Sequence, residues 1–216
     1  MGESTRRPVT RERAILAAVA LADAGGMDSL SMRKLAGALG VEAMSLYYHV
    51  KGKDDLLDGM MGLVVDEIPL PVIGGSWRSA MRARADSTRA VLKQHPWAIP
   101  LMDTRSTQAT LRHLDATIGC LLEAGFSLAM VNHVVSLLDS YVVGFALQET
   151  ALPFDEHGDI SARAEEIMAQ QEAMAETFPH LTRLAVEHVL QPGYAYGNEF
   201  EFGIELLLDG FAARLD

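Results

Sequence analysis

Hydroxyl-bearing side chains cluster in the short stretch SLYYHV at residues 45–50. The hydroxyl groups of Ser45, Tyr47 and Tyr48 can donate to phosphate oxygens or to the edges of bases. Met44, just before them, can contact a thymine methyl group. Residue types of this kind in close succession indicate a surface that could bind nucleic acid.

This stretch needs neighbouring elements to be stable as a helix, because an isolated helix of fewer than about 12 residues is marginal in water. A helical wheel with about 100° per residue turns Leu46 and Val50 toward the preceding helix. The same wheel turns Met44 and the hydroxyl-bearing side chains away from it. We therefore expect packing of the two apolar residues to hold the helix and to free its other face.

The preceding residues supply the supporting elements. One helix ends at Gly25-Gly26, a second runs from its cap at Ser31 to Gly40, and a third covers residues 42–49. Helix, short glycine-containing turn and second helix make up the helix-turn-helix unit, which places its second helix in the major groove of DNA. From this pattern alone, a helical hairpin with solvated tyrosines is equally compatible.

The formal net charge of −11 is unevenly distributed along the chain. Residues 1–60 hold eight Lys/Arg and eight Asp/Glu, whereas residues 61–216 hold ten and twenty-one. The acidity therefore lies in the C-terminal part and does not exclude nucleic acid as a partner of the N-terminal part. There, Arg33, Lys51 and Lys53 flank the short helices and could reach phosphates.

The rest of the chain also has helical periodicity, and no stretch alternates with a period of two for long enough to be a strand. The sequence therefore predicts an all-α fold. The further helices are predicted at residues 54–67, 76–95, 97–103, 107–123, 127–149, 162–178, shortly after Pro179, and at 197–215, with a loop at 152–159.

Several other classes of protein find no support in the sequence. The single cysteine, Cys120, excludes an internal disulfide and a cysteine-rich zinc site. The apolar stretch 131–147 is interrupted by polar residues, and no targeting segment is visible, so we expect a cytoplasmic protein without a membrane partner. No nucleotide-binding or nucleophile motif indicates an enzyme. The seven histidines are scattered and predict no metal site, although helix packing could still bring two of them together.

The N-terminal part resembles the DNA-binding domain of the TetR family of bacterial transcriptional regulators. The resemblance is carried by S-x-R-x-L-A from Ser31, L-G-V at the turn, SLYYHV, and K-x-K-x-x-L-L from Lys51. The later segments GFSLAMVNHVVS and EFGIELLLDG are similar to the tetracycline-repressor subgroup. The resemblance implies a flexible basic arm (1–9), a three-helix DNA-binding domain (10–53), a connecting helix (54–68) and a larger helical ligand-binding and dimerisation domain (72–216).

The resemblance also implies which residues contact DNA. Position 43 departs from the tetracycline repressor, in which a glutamine reads a base there, because Ala43 cannot form bidentate hydrogen bonds; we therefore expect a different operator. Arg6, Arg7 and Arg11 of the basic arm could add phosphate contacts, or form a solvated tail. With Lys51 added from the charge pattern, the predicted DNA-binding residues are Ser31, Arg33, Ala43, Met44, Ser45, Tyr47, Tyr48, His49, Lys51 and Lys53.

A homodimer is implied by the resemblance, through a four-helix interface built from the predicted helices 127–149 and 197–215. Wide apolar stripes on both helices favour burial on more than one side. A two-fold dimer would place two recognition helices about 34 Å apart on a palindromic operator of double-stranded DNA. The predicted interface residues are Val131, Val135, Leu138, Val142, Phe145, Phe200, Ile204, Leu207, Leu208 and Phe211.

Tetracycline itself is not expected as the effector. The subgroup binds a magnesium–drug chelate through histidines, but Ile68-Pro69 and Leu101-Met102 stand at the corresponding positions. We therefore expect no cofactor and no metal, and a largely apolar small-molecule effector of unknown identity. The candidate ligand-binding residues, each of which could instead be ordinary core, are Met81, Arg84, Thr88, Trp97, Leu101, Met102, Thr104, Arg105, Thr117 and Phe126.

The sequence therefore predicts a ligand-responsive transcriptional regulator, with repression and release by an effector as the favoured mode. Two alternatives stay open at this stage: an activator of the same fold, and a helical protein-interaction module without specific DNA binding. Salt separates the last of these from the others, because DNA binding weakens steeply as salt rises.

Overall fold

Helices are the only regular secondary structure in the described part of the chain, which confirms the all-α prediction. The computed structural model describes residues 8–151 and 171–215. The elements are α1 (Arg11–Gly25), α2 (Met32–Leu39), α3 (Ala43–Leu46), α4 (Lys53–Asp66), α5 (Trp77–Gln94), α6 (Gln108–Glu123), α7 (Leu128–Ala151), α8 (Gln171–Thr177), α9 (Pro179–Leu184) and α10 (Gly197–Ala212), with 3-10 turns at Met27–Ser29 and Pro96–Leu101 and a π-helical turn at Ala185–Val189. Arg6 and Arg7, the predicted loop 152–159 and most of the predicted helix 162–178 lie outside the described residues.

Helices α1 to α3 form a small reading head whose ends follow the capping signals in the sequence. The hydroxyl oxygen of Ser31 accepts a hydrogen bond from the backbone N–H of Lys34 (3.2 Å) and begins α2. Gly40 adopts the left-handed conformation (φ 70°) that ends α2 and turns the chain into α3. Ser31 therefore marks the beginning of α2, and Gly40 marks its end.

The third helix is shorter than the predicted stretch of residues 42–49. Only Ala43–Leu46 are α-helical, and the backbone N–H of His49 then bonds to the carbonyl of Leu46 (2.8 Å) in a tighter turn. The tightening satisfies carbonyl groups at the end of the helix that would otherwise lack a partner. The helical wheel is nevertheless correct at its centre, because Leu46 and Val50 are both buried.

A second unit is formed by α5, α6, α7 and α10, which pack around Leu138, Phe200 and Ile204. Arginines of α5 form ion pairs with acidic residues of α7 and α10. The guanidinium of Arg89 lies 4.6 Å from the centre of the Phe200 ring and donates to Glu149 of α7 (2.6 Å), which lowers the pKa of that carboxyl. By length and composition α7 is long and apolar enough to cross a membrane; in this structure one face of it packs against α5, α6 and α10.

The residues predicted for the dimer interface are buried to different degrees within one chain, and the interface itself stays a prediction. Val135 and Leu207 are half-buried. The other predicted residues already lie in the core of one chain: Val131, Leu138, Val142, Phe145, Phe200, Ile204, Leu208 and Phe211.

Helix α4 joins the two units and is buried on most of its length. Met60 and Val64 are completely inaccessible and share one apolar core with Leu46 of the reading head and Ala98 of the 3-10 segment Pro96–Leu101. Helix α1 approaches α4 closely at Gly59, where an added Cβ would lie 2.5 Å from Cδ1 of Ile15. The position of the reading head is therefore set by direct helix contact rather than by a flexible linker.

We expect Gly59→Ala to destabilise the protein, because the new methyl group overlaps the buried Ile15 side chain. The matched control is Gly62→Ala, three residues further along α4, where the added Cβ meets no atom within 4 Å. Gly62→Ala should be neutral or stabilising, since alanine favours helix over glycine. In urea unfolding at one protein concentration, the free energy of unfolding of Gly59→Ala should lie about 1–3 kcal/mol below that of the control. Equal values would show that α1 can move away at no cost.

Candidate nucleic-acid interface and internal cavity

The short helix α3 and the tight turn that directly follows it present large side chains to solvent. Met44 is 74% exposed, Tyr47 49% and Tyr48 89%, although apolar and aromatic side chains of this size are usually covered. Leu46 beneath them is fully buried. The exposed face therefore contributes nothing to the core of the reading head and is available for a partner.

The other predicted contact residues divide into exposed and partly covered ones. Ser31, Arg33, Lys51 and Lys53 are exposed around the same helix-turn-helix unit. Three predicted residues are half-buried: Ala43, Ser45 and His49. The Ser45 hydroxyl, which the helical wheel turned toward solvent, donates to the carbonyl of Glu42 (2.7 Å). The helix is too short for the wheel to hold at its ends, so backbone bonding decides the direction of this side chain.

Arg11, predicted as a possible phosphate contact of the arm, is exposed at the surface and pairs with α4. Its guanidinium donates to Asp55 of α4 (2.8 Å), and the same carboxylate accepts from the backbone N–H of Lys51 (2.8 Å). The Arg11 hydrogen bond, followed by that of Lys51, holds the pKa of Asp55 below its ordinary value. Asp55 thus joins the start of α1, the turn after α3 and the first turn of α4.

A cavity of about 200 Å³ lies at the junction of α4, α5, α6 and α7. Of the predicted ligand-binding residues, Arg84, Thr88, Met102 and Arg105 line it. The remaining lining residues were not predicted: Val65, Ile68, Asp103, Ser106, Thr110, Leu111, His113, Leu114, Asp139, Val142 and Val143. His113 carried a usable signal, because it lies four residues from the small Ala109 and from Thr117 on the inward face of α6.

Six predicted ligand-binding residues lie outside the wall of this cavity, so their role in ligand binding stays a prediction. Met81 and Phe126 belong to the core of the second unit. Thr117 is buried with its hydroxyl donating to the carbonyl of His113 (2.8 Å). Leu101 is half-buried, and the exposed Thr104 bonds back to it. Trp97 packs in the core shared with the reading head. For the buried residues among these six, helical periodicity indicates an inward direction but cannot separate core from cavity wall.

Charged and polar groups concentrate on one side of the cavity. Arg84 of α5 donates to Asp139 of α7 (2.7 Å). His113 is 6% exposed, and burial, followed by the nearby Arg84, lowers its pKa, so its ring is neutral at pH 7. Among the described residues, no group of three His, Cys, Asp or Glu side chains is arranged to hold a metal ion.

Arg105 connects the cavity wall to the beginning of α4. Its Nη1 donates to Asp58 (2.7 Å) and its Nη2 to Asp54 (2.9 Å). These hydrogen bonds, that of Asp58 first, raise the pKa of the guanidinium. Its Nε atom is buried and has no hydrogen-bond partner in the described part of the chain. A ligand in the cavity can therefore compete with Asp54 and Asp58 of α4 for the hydrogen bonds of the Arg105 side chain.

A second link ties the 3-10 segment Pro96–Leu101 and the residue before it to the end of α1. One carboxylate oxygen of Asp23 lies 2.6 Å from Nε1 of Trp97 and 2.7 Å from Nδ1 of His95. The other ring nitrogen of His95 lies 3.4 Å from Glu67, directly after α4. The reading head is thus held at the end of α1 as well as through α4.

The chain matches two descriptions of protein families. Residues 14–60 match "Bacterial regulatory proteins, tetR family", and residues 70–215 match "Tetracyclin repressor-like, C-terminal domain". The second match alone covers more than half of the chain. Together the two account for the reading head and for the unit that contains the cavity.

Similar individual proteins are bacterial regulators. An HTH-type transcriptional regulator of Saccharopolyspora erythraea is 36% identical, covering 97% of this chain and 87% of that protein. The HTH-type transcriptional repressor DrrR1 of Streptomyces coeruleorubidus is 31% identical over 94% of this chain and 77% of its own. The solved structure of ActR from Streptomyces coelicolor in complex with actinorhodin superposes with a TM-score of 0.78 at 26% identity, covering 97% of this chain and 99% of that one.

We expect Trp97→Phe to weaken the attachment of α1, because it removes the N–H donor to Asp23 and keeps an aromatic ring. A hydrogen bond to a charged group contributes about 1.5–3 kcal/mol. Amide hydrogen exchange at the end of α1 should become faster in this variant. The matched control is Trp77→Phe, since no hydrogen bond of the Trp77 indole is recorded among the described residues. Equal exchange of α1 in both variants would contradict a clamping role of Asp23.

Proposed function

The chain belongs to the TetR family of bacterial transcriptional regulators, and we propose that it represses transcription as a homodimer on a palindromic operator until a small effector releases it. It is a ligand-responsive, DNA-binding regulator. A protein of this kind acts in the bacterial cytoplasm, and its relatives are transcription regulators rather than enzymes.

The observation that carries the DNA-binding proposal is the division of α3 into two faces. Leu46 is fully buried, whereas Met44, Tyr47 and Tyr48 are open to solvent. The exposed Arg33, Lys51 and Lys53 supply positive charge for phosphates around the same helix. The tyrosine hydroxyls and the methionine methyl group then contact the edges of bases. In this arrangement the phosphate contacts position the protein on the duplex, and the short helix and the turn after it determine the sequence preference.

The proposal of a homodimer rests on apolar side chains that one chain leaves uncovered on α7 and α10. Phe202 is 68% exposed and Leu206 62%, both on the outer side of α10. Three apolar residues of α7 are also exposed: Leu128, Leu137 and Leu147. Exposed apolar residues on neighbouring helices favour burial by a second copy. Two-fold symmetry would place the two reading heads about 34 Å apart, which fits a palindromic operator.

An effector in the cavity would act through the segment 95–106, which contacts both the cavity and the reading head. Met102 and Arg105 line the cavity, while Arg105 also binds Asp54 and Asp58 of α4. An effector that binds one arrangement of this segment better than the other shifts α4 and with it the spacing of the two heads. The Asp23 contacts transmit the same movement to α1. ActR, for comparison, has been solved with actinorhodin.

An activator would use the same surfaces, so the direction of regulation has to be measured at a promoter. A protein-interaction module would also expose the tyrosines of α3. Its binding would depend little on salt, whereas operator binding should weaken steeply as salt rises.

We expect Tyr47→Ala to abolish specific operator binding while leaving the dimer intact, because the side chain is half exposed and supports no core contact. The operator is first obtained by selecting retained sequences from a random DNA pool at moderate salt; an enriched palindrome is the expected result. Affinity for that sequence and for unrelated DNA is then compared between wild type and variant. Loss of specific binding with retained non-specific binding is expected. Unchanged operator affinity would remove α3 from the interface.

We expect Leu206→Glu to dissociate the dimer, because a carboxylate would be buried in the apolar contact between the two copies. Leu122→Glu is the matched control, since Leu122 is also exposed but lies on α6. Sedimentation should show monomers for Leu206→Glu and dimers for the control and wild type. If both variants remain dimeric, the subunits associate through another face.

A further inference from the structure

The wall of the cavity divides into an apolar and a polar side. The apolar side is formed mainly by α4 and α7, with Val65, Ile68 and Val142. The polar side begins on α5, where Arg84 and Thr88 are four residues apart and therefore share one face of the helix. His113 of α6 and Asp139 of α7 complete it. A ligand that fills this cavity must combine an apolar body with a polar edge.

Several polar groups on this side have unused hydrogen-bonding capacity. Thr88 and His113 are more than nine-tenths buried as whole residues, and neither the Thr88 hydroxyl nor the His113 ring has a hydrogen-bond partner among the described residues. Arg84 uses only Nη1 for Asp139, and its other nitrogens donate to no described residue. These polar atoms are accessible to solvent, because Nε of Arg105 is the only fully buried side-chain nitrogen or oxygen without a partner in the described part of the chain. A ligand that supplies an acceptor to them therefore replaces water and gains selectivity.

The charges around the cavity favour an uncharged ligand. The positive charge of Arg84 is balanced by Asp139, and that of Arg105 faces both Asp54 and Asp58. Asp103 adds a further carboxylate, and His113 is neutral at pH 7. An anion brought into this site would be desolvated without meeting an unbalanced cation, which makes its burial unfavourable.

We propose that the effector is an uncharged molecule with an apolar body and a carbonyl oxygen. This oxygen accepts hydrogen bonds from the guanidinium nitrogens of Arg84 that do not bond to Asp139, and from Thr88 of α5 and His113 of α6. This inference rests on the proposed function and deepens it, because it assigns the chemical class of the effector. Asp139 acts as the determinant of ligand charge: it neutralises Arg84 and thereby excludes carboxylates of the same shape.

The test uses three compounds of nearly one shape: acetophenone (a neutral carbonyl), benzoate (its anionic counterpart) and isopropylbenzene (without a polar group). A single ring suits the cavity of about 200 Å³, since a cavity of roughly 150 Å³ can hold benzene. Binding to the full-length protein is followed by the ¹³C-methyl NMR signal of Met102, which lines the cavity. The Met102→Leu variant assigns that signal.

Acetophenone should shift the Met102 signal at concentrations about tenfold below those needed for benzoate or isopropylbenzene. Isopropylbenzene offers no acceptor to Arg84, and benzoate offers one but brings a negative charge into the cavity. Arg84→Met should weaken acetophenone about tenfold and leave isopropylbenzene unchanged, which also serves as the control for an intact cavity. Asp139→Asn leaves the Arg84 charge unbalanced and should reverse the preference in favour of benzoate.

Three results would overturn the inference: benzoate binding to the wild type as tightly as acetophenone, acetophenone binding unchanged in Arg84→Met, or no compound moving the Met102 signal. These measurements need no operator, so they are separable from the proposed function. Operator binding without acetophenone binding would overturn the effector class alone. Acetophenone binding without any selected operator would overturn the regulator proposal and leave the chemistry of the cavity established.

Discussion

The position of the reading head depends on how segment 95–106 binds charged groups on both sides of the junction. Arg105 in the cavity wall donates hydrogen bonds to Asp54 and Asp58 of α4. At the end of α1, the carboxylate of Asp23 accepts a hydrogen bond from the indole N–H of Trp97 and lies within hydrogen-bond distance of the His95 ring. Apolar packing of α1 against α4 holds the head in place, but the hydrophobic effect itself is not directional. Hydrogen bonds of charged groups have a preferred geometry, so these contacts set one orientation.

The same contacts explain how a small cavity could control a surface at the far end of the head. The cavity and α4 share Arg105, so occupation of one changes the bonding available to the other. Helix α4 lies in one continuous core with α1 and with Leu46 below the exposed tyrosines. A close-packed core moves in steps rather than deforming smoothly, which lets a local change in one side chain reposition a whole helix.

Helix α3 has little stability of its own and depends on its packing against the rest of the head. Its α-helical part has four residues, so packing of Leu46 and Val50 supplies what the backbone cannot. Because the core contacts use only one side, Met44, Tyr47 and Tyr48 can be substituted without loss of the fold. Helices α7 and α10 are divided in the same way: one face of each is buried in the core and the other is exposed to solvent.

The sequence by itself determined the elements and the inward side of most helices. Capping residues such as Ser31 and the left-handed Gly40 act within a few residues, so their effect is visible in the chain order. Leu46 and Val50 were correctly turned inward by periodicity. Only the tertiary structure decided which inward residues line the cavity and which fill the core: Arg84 and Thr88 meet His113 and Asp139 there, while Met81 and Trp97 do not. It also decided that Phe200 belongs to the core of one chain and Phe202 to its outer face. Periodicity reports the direction of a side chain on its own helix, whereas a cavity or an interface depends on the distance between helices, which no single helix encodes.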